Sequence, residues 1–242
     1  MKILLAADQS RNSLAAAHWV QKLHFPASSV VYLLDIVEIK HWPEWSTFDD
    51  ARLYCDKIDA IREKATTKAR RFIGHLAESL SRPKLEIRTD VVEGIPGAEI
   101  LIAIDQHQID LVVVGAKGLS GIKRFLLGSV SEWILNDSPC SVLVVRGEPR
   151  WIRRKARNMR ILFATDGSQD SQRAVALLKS LHLPKSTHLS ILYVVEMPDS
   201  LTGMAGGFTG HLRTTQVTAA MKQTGEQMGK KLLQETRRTL GR

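Results

Sequence analysis

Three glycines and a serine stand at fixed intervals in the middle of the chain, Gly115-x2-Gly118-x9-Gly128-Ser129. The apolar run 111–114 precedes them and a second run, 141–145, follows. Short runs of this kind read as buried parallel strands. The spacing therefore predicts strand, glycine loop, helix start and strand. That arrangement offers a phosphate group many N–H donors with no side chain in the way. Gly115 and Gly118 allow positive φ and close backbone approach, and Gly128 does the same at the helix mouth. The amides of Ser129, Val130 and Ser131 would lie at the positive end of that helix. The hydroxyls of Ser129 and Ser131 would donate to phosphate oxygens, and Lys117 and Lys123 would add charge.

Each residue also has a plainer reading. Two glycines make a tight turn, Ser129 makes an N-cap, Lys117 is solvated surface, and Asp8 caps the first helix. The joint order of the residues favours the phosphate reading. Asp8 ends the run 2–7, KILLAA. If the sheet has the strand order 3-2-1-4-5, Asp8 lies beside the fourth strand, at the switch point where doubly wound sheets take ligands. A carboxylate there suits ribose hydroxyls. The backbone of Ala7 and Ile36, at the ends of the first two strands, would line a base pocket.

The elements that must hold these residues follow from periodicity. Apolar runs at 2–7, 30–37, 85–92, 111–114 and 141–145 read as strands. Between them, Ala16, Trp19, Val20 and Leu23 make one apolar helix face ended by Pro26, residues 50–80 read as a long helix, and 97–108 as another. A loop with Trp42, Pro43, Trp45 and Phe48 precedes the long helix and anchors on it. Strict β/α alternation predicts an open, parallel, doubly wound α/β sheet of five strands with right-handed crossovers, a Rossmann-like fold.

The chain has 242 residues, a net charge of +9 and two cysteines. No apolar run reaches the roughly 20 residues of a membrane span. Cys55 and Cys140 fit no metal or redox spacing, so a cytoplasmic protein with free thiols is the expectation. The stretch 148–160 holds six basic residues and one acid, so over half of the net charge sits in one segment. It reads as a solvated basic linker, with Trp151 and the neighbouring arginines (150–160) the only candidate for a nucleic-acid contact.

An internal repeat sets the domain organisation. Residues 3–38 align without a gap to 161–196, with fourteen of 36 positions identical, among them Asp8/Asp166, Ser10/Ser168, Pro26/Pro184 and Glu38/Glu196. The expected domains are 1–147, complete and nucleotide-binding; 148–159, the linker; and 160–242, a partial second copy. The second copy offers two strands and two helices, with a glycine-rich loop at 203–207 and no phosphate loop.

Taken together, Gly115-x2-Gly118-x9-Gly128-Ser129, the opening KILLAADQS, the segment 92–96 (VEGIP) and the run DLVVVG at 110–115 resemble the universal stress protein family. The resemblance covers 1–146 fully and 160–242 as the front of a second domain. It implies ATP binding, or AMP or ADP, with magnesium carried on the phosphates. Carried over by position, Ala7, Asp8 and Ile36 would contact adenosine, and Gly115, Lys117, Gly118, Gly128, Ser129, Val130 and Ser131 would hold phosphates. Lys117 stands where His or Arg is commoner in the family, and Ala6-Ala7 where Pro-Thr is usual. The expected function is a stress-response module whose conformation or partners depend on nucleotide. The alternatives are a slow ATPase on the same fold and a scaffold without ligand. No nucleophile or acid/base constellation marks an enzyme: no His lies in the glycine loop and no second carboxylate falls near Asp8 by sequence. Strand 141–146, as a sheet edge, is the expected homodimer contact.

Overall fold

The computed structural model describes residues 1–38, 48–118, 127–147, 159–184, 186–195 and 210–241. The loop with Trp42 and Trp45, Lys123, the linker arginines 150–157 with Trp151, and the glycine stretch 203–207 lie outside the described residues. The chain forms two compact units, Met1–Ala156 and Arg157–Arg242.

The first unit runs β1 (Lys2–Ala6), α1 (Arg11–Lys22), β2 (Ser29–Glu38), α2 (Phe48–Leu80), β3 (Leu85–Gly94), α3 (Pro96–His107), β4 (Leu111–Gly115), α4 (Ser129–Asp137) and β5 (Ser141–Val145). All four strand pairings are parallel and the order is β3-β2-β1-β4-β5. This is the doubly wound sheet the alternation predicts. The central strands are apolar on both faces because helices cover both. On the α3–α4 face, Leu4, Leu34, Val112 and Val114 pack with Ile100 and Ile134. Ile3, Leu5, Leu33 and Val113 alternate to the opposite face and are equally buried.

Local chemistry fixes the helix ends nearest the strand tips. The Ser10 hydroxyl accepts from the Ser13 amide at 3.2 Å and starts α1. At the other end, Arg82 donates to the carbonyls of Gln21 at 2.8 Å and Leu23 at 2.9 Å, which satisfies groups the end of α1 leaves open. Helix α3 starts with Pro96 at its first position, where no amide is needed. Gly97 lets α3 meet α4, since a Cβ there would collide with the Trp133 ring.

The second unit runs β6 (Arg160–Ala164), α5 (Gln169–Ser180), β7 (His188–Leu192) and α6 (Gly210–Leu240). Its described strands form one parallel pair. The Ser168 hydroxyl accepts from the Ser171 amide at 3.2 Å, the same cap that opens α1. Among the described residues, no helix is long and apolar enough to cross a membrane.

Candidate functional site

A cavity of about 490 Å³ opens at the carboxyl ends of β1, β2 and β4, within the range of small-molecule sites. Every residue carried over from the sequence lines it: Ala7, Asp8, Ile36, Gly115, Lys117, Gly118, Gly128, Ser129, Val130 and Ser131. The sequence reading missed Ala6, Glu38, Pro96, Ile100 and Val114, which complete the wall. Ile36, Pro96, Ile100 and Val114 give an apolar slot toward β2. Among the described residues, the ionisable groups on the wall are Asp8, Glu38 and Lys117.

Asp8 is not the N-cap of α1, a place that Ser10 takes, so its plainer reading is corrected. Its Oδ1 accepts from the Ser10 amide at 3.2 Å, which forms the turn into α1. Its Oδ2 faces Gly118, where a Cβ would lie 2.6 Å away. The backbone reverses at Gln9, which takes φ 57. A left-handed residue without a glycine side chain is strained, and strain of this kind gathers where a turn must aim a neighbour. In the second unit the matching position is Gly167, φ 82.

The glycine loop is held from α1. The Lys117 carbonyl accepts from Asn12 Nδ2 at 3.0 Å and from the Ser10 hydroxyl at 3.3 Å. Asn12 Oδ1 accepts from the Gly147 amide at 3.1 Å, so one side-chain amide ties the loop to the chain leaving β5. These positioning roles of Ser10 and Asn12 were not visible in the sequence.

The structure gives a packing reason for two of the glycines. None of Gly115, Gly118 and Gly128 has positive φ. Gly115 is small because α1 crosses it: a Cβ would sit 2.8 Å from the Ser13 amide nitrogen and 2.9 Å from the Asn12 carbonyl carbon. Gly118 is small because Asp8 faces it. Gly128 differs from both. Among the described residues, a Cβ there would meet nothing nearer than the Lys117 Cα at 3.5 Å, an ordinary contact, and its φ of −89 suits any residue. Packing leaves its identity unexplained. Its Cβ position lies in the gap between the loop and the α4 mouth, which glycine keeps open.

At that mouth the first helical bond runs from the Glu132 amide to the Gly128 carbonyl at 2.9 Å. The amides of Ser129, Val130 and Ser131 precede it and, as in any helix, have no carbonyl of their own turn to pair with. The Gly128 amide is satisfied by the Ala116 carbonyl at 2.8 Å and by the Ser131 hydroxyl at 3.2 Å. Ser131 is 2% exposed, and its Oγ lies 3.1 Å from the Ala116 carbonyl and 2.9 Å from that of Gly128. Its single proton is used within the protein. The expectation that its hydroxyl donates to a phosphate is therefore corrected: Ser131 shapes the mouth and offers its amide. Ser129 is exposed at the first position of α4 and lines the cavity.

A second carboxylate does lie near Asp8. Asp35, 5% exposed, alternates in β2 with Leu34 and Ile36 and so points to the α1–α2 face. Burial and then the Asp8 charge push its pKa up to about 6, while the Ile36 amide and Lys68 act the other way. The signal in the sequence was a lone acid inside the apolar run at 30–37. Because its folded pKa exceeds the ordinary 3.8, Asp35 holds a proton that the unfolded chain releases. Its contribution to stability is full below about pH 4 and is lost as pH rises through about 6. Asp35→Asn should thus gain stability over the native chain, by on the order of 2 kcal/mol near pH 8 and by little near pH 4. Urea unfolding at both pH values checks this; parallel stability curves would contradict it.

Comparison with known proteins places the chain. Residues 1–146 match the model described as the universal stress protein family. The chain is 28% identical over 145 residues to universal stress protein MJ0531 of Methanocaldococcus jannaschii, a match spanning 60% of this chain and 81% of that protein. It is 30% identical over 156 residues to universal stress protein YxiE of Bacillus subtilis, spanning 60% and 98% respectively. Its fold is similar to the crystal structure of a universal stress protein from Archaeoglobus fulgidus, with TM-score 0.56 and 22% identity over 91% of this chain and 72% of that one. With the family model matched over more than half of its length, the chain belongs to the universal stress protein family.

Proposed function

We propose that the first unit binds an adenine nucleotide in the cavity at its strand ends, and that the chain is a cytoplasmic stress-response module whose conformation or partners follow nucleotide occupancy. One observation carries this reading: the mouth of α4, whose first amides have no carbonyl of their own turn, and the Asp8 carboxylate line one cavity, and among the described residues no side chain stands at Gly128 between loop and mouth. In this reading the base lies in the slot of Ile36, Pro96 and Ile100, and Asp8 Oδ2 accepts from a ribose hydroxyl. Lys117, the Ser129 hydroxyl and the amides of Ser129–Ser131 hold the phosphates. Magnesium would ride on the phosphates, because the described residues contain no cluster of three metal-ligating side chains. Asp35 points away from the cavity, so it is not placed to act as a base toward bound phosphate.

Calorimetric titration of ATP, AMP and adenosine tests the proposal. We expect saturable binding that Asp8→Ala weakens about tenfold or more for all three, as loss of a charge-assisted hydrogen bond does. No binding of any of them would refute it. Phosphate release lost in Asp8→Ala would instead favour the slow ATPase.

In the same reading, 160–242 is a partial second copy that binds no nucleotide alone, because the sequence carries no counterpart of the glycine loop there. Strand β5 is the end strand of the described sheet, with half-buried Val142, Leu143 and Val144. Edge pairing through it would make a homodimer. Light scattering should give twice the chain mass, and Leu143→Lys should return the monomer; a native chain of monomer mass would contradict the pairing.

A further inference from the structure

Among the described residues, the β6–β7 pair of the second unit has helices on one face. Leu189 lines a cavity with Leu178 of α5 and Leu240 of α6, and Gly225 and Gly229 of α6 stand against Val195 and Tyr193. Alternate residues point to the other face. There Leu162 is 66% exposed, Leu192 is 43% exposed, and Val194 is exposed beside them. In the repeat these residues answer to Leu4, Leu34 and Ile36. Leu4 and Leu34 are only 1% and 3% exposed, because they pack with Ile100, Ala103 and Ile104 of α3. The same two leucines thus lie under a helix in one unit and stand open in the other.

The first unit shows what such a face receives. The strand register is the same in both, with Lys2 beside Val30 and Arg160 beside His188. Helix α3 ends beside Lys2, the first residue of β1, whose Nζ donates to the His107 carbonyl at 2.8 Å. Arg160 stands in the place of Lys2. It offers its guanidinium to the carboxyl end of a helix, where open carbonyls and the helix dipole favour a cation. Ser190 replaces Tyr32, the ring that stacks on His107. The smaller side chain belongs to a groove of about 630 Å³ along Arg160, Leu162, His188 and Ser190.

We propose that this face docks one amphipathic helix of another protein, with an apolar stripe at i, i+3 and i+4 set on Leu162, Leu192 and Val194 and its carboxyl end at Arg160. The dimensions fit a helix. Two strands of five residues make a surface roughly 10 Å wide and 17 Å long. A helix as long as α3 is about 10 Å across and 18 Å long. The surface falls well short of the roughly 800 Å² per partner of a stable dimer, so two copies do not pair through it alone. Nor can a second copy offer α3, whose Ile100 and Ile104 are buried in its own unit. Arg160 and His188 are the ionisable groups of these two strands on this face, so the docked helix carries no lysine or arginine facing its carboxyl end.

A labelled peptide of residues 96–108, PGAEILIAIDQHQ, capped at both ends and titrated against the full chain by fluorescence anisotropy, tests this. It carries the α3 stripe free of its own sheet. A helix this short is marginal in water, so saturable binding is expected with Kd on the order of 100 μM. Ile104→Asp in the peptide should weaken binding about tenfold or more, as should Leu162→Asp in the chain. Arg160→Gln should weaken it about threefold, with ATP affinity unchanged. If Leu162→Asp fails to fold, the altered peptide decides the question, since it leaves the protein untouched. The proposal is overturned by the absence of saturation at about 2 mM peptide. It is equally overturned if both peptides bind alike, or if a folded Leu162→Asp chain binds like the native one. A fall in mass by light scattering on Leu162→Asp would also overturn it, because a second copy would then be the occupant.

Discussion

Gly128→Val should reduce ATP affinity about a hundredfold or more while leaving adenosine affinity and the fold nearly unchanged. The backbone at this position is extended, and among the described residues a Cβ would meet only ordinary contacts, so neither φ nor the first side-chain atom opposes a larger residue. The cost to α4 is limited to the loss of a favourable N-cap glycine, about 1 kcal/mol. The added side chain stands over residues 116–118 and fills the gap between the loop and the α4 mouth. A phosphate would lose access to the unpaired amides, and each charge-assisted bond contributes roughly 1.5–3 kcal/mol. Adenosine, which has no phosphate, should not register the change. Titrating both ligands therefore separates blocked phosphate binding from general damage. Equal loss for both, or no loss for either, would contradict the assignment of the phosphate end.

Gly115→Ala should act in the opposite way, as a stability mutation. Its Cβ would meet backbone atoms of Asn12 and Ser13 at 2.8–2.9 Å, and backbone cannot rotate aside. The first turn of α1 must move, and with it the Asn12 amide that ties residue 117 to residue 147. Overpacking of this kind costs about 1–3 kcal/mol. The loss of the Asn12 contacts adds to it, so we expect about 3 kcal/mol in urea unfolding. Alanine introduces one methyl group and no change of charge, so a near-neutral result would mean that α1 sits further from β4 than the structure places it.

These two glycines show what the sequence makes legible. The strands could be read because each is a short apolar run whose burial on both faces demands helices on both sides. Strict β/α alternation then leaves few strand orders open. The site residues could be read because the motif 115–129 is local and Asp8 ends the strand beside it. The reasons behind the residues were hidden. Gly115 answers to Asn12 and Ser13, a hundred residues away, and that contact exists only once the strands are ordered. Ser131 reads as a phosphate donor until burial commits its proton to nearby carbonyls. Asp35 is conspicuous as an acid in an apolar run, yet only the fold shows it close enough to Asp8 for their charges to couple. The wall residues Pro96 and Ile100 belong to a helix that the periodicity predicted, but no local signal turned that face toward the cavity.

The central claim is that nucleotide lies between Asp8 and the mouth of α4. A crystal structure of the chain grown with ATP and magnesium tests it most directly. We predict density for adenosine against Ile36, Pro96 and Ile100, with the ribose beside Asp8 Oδ2 and the phosphates within hydrogen-bonding distance of the amides of Ser129–Ser131. A cavity without nucleotide at saturating ATP, or nucleotide bound elsewhere on the chain, would contradict it.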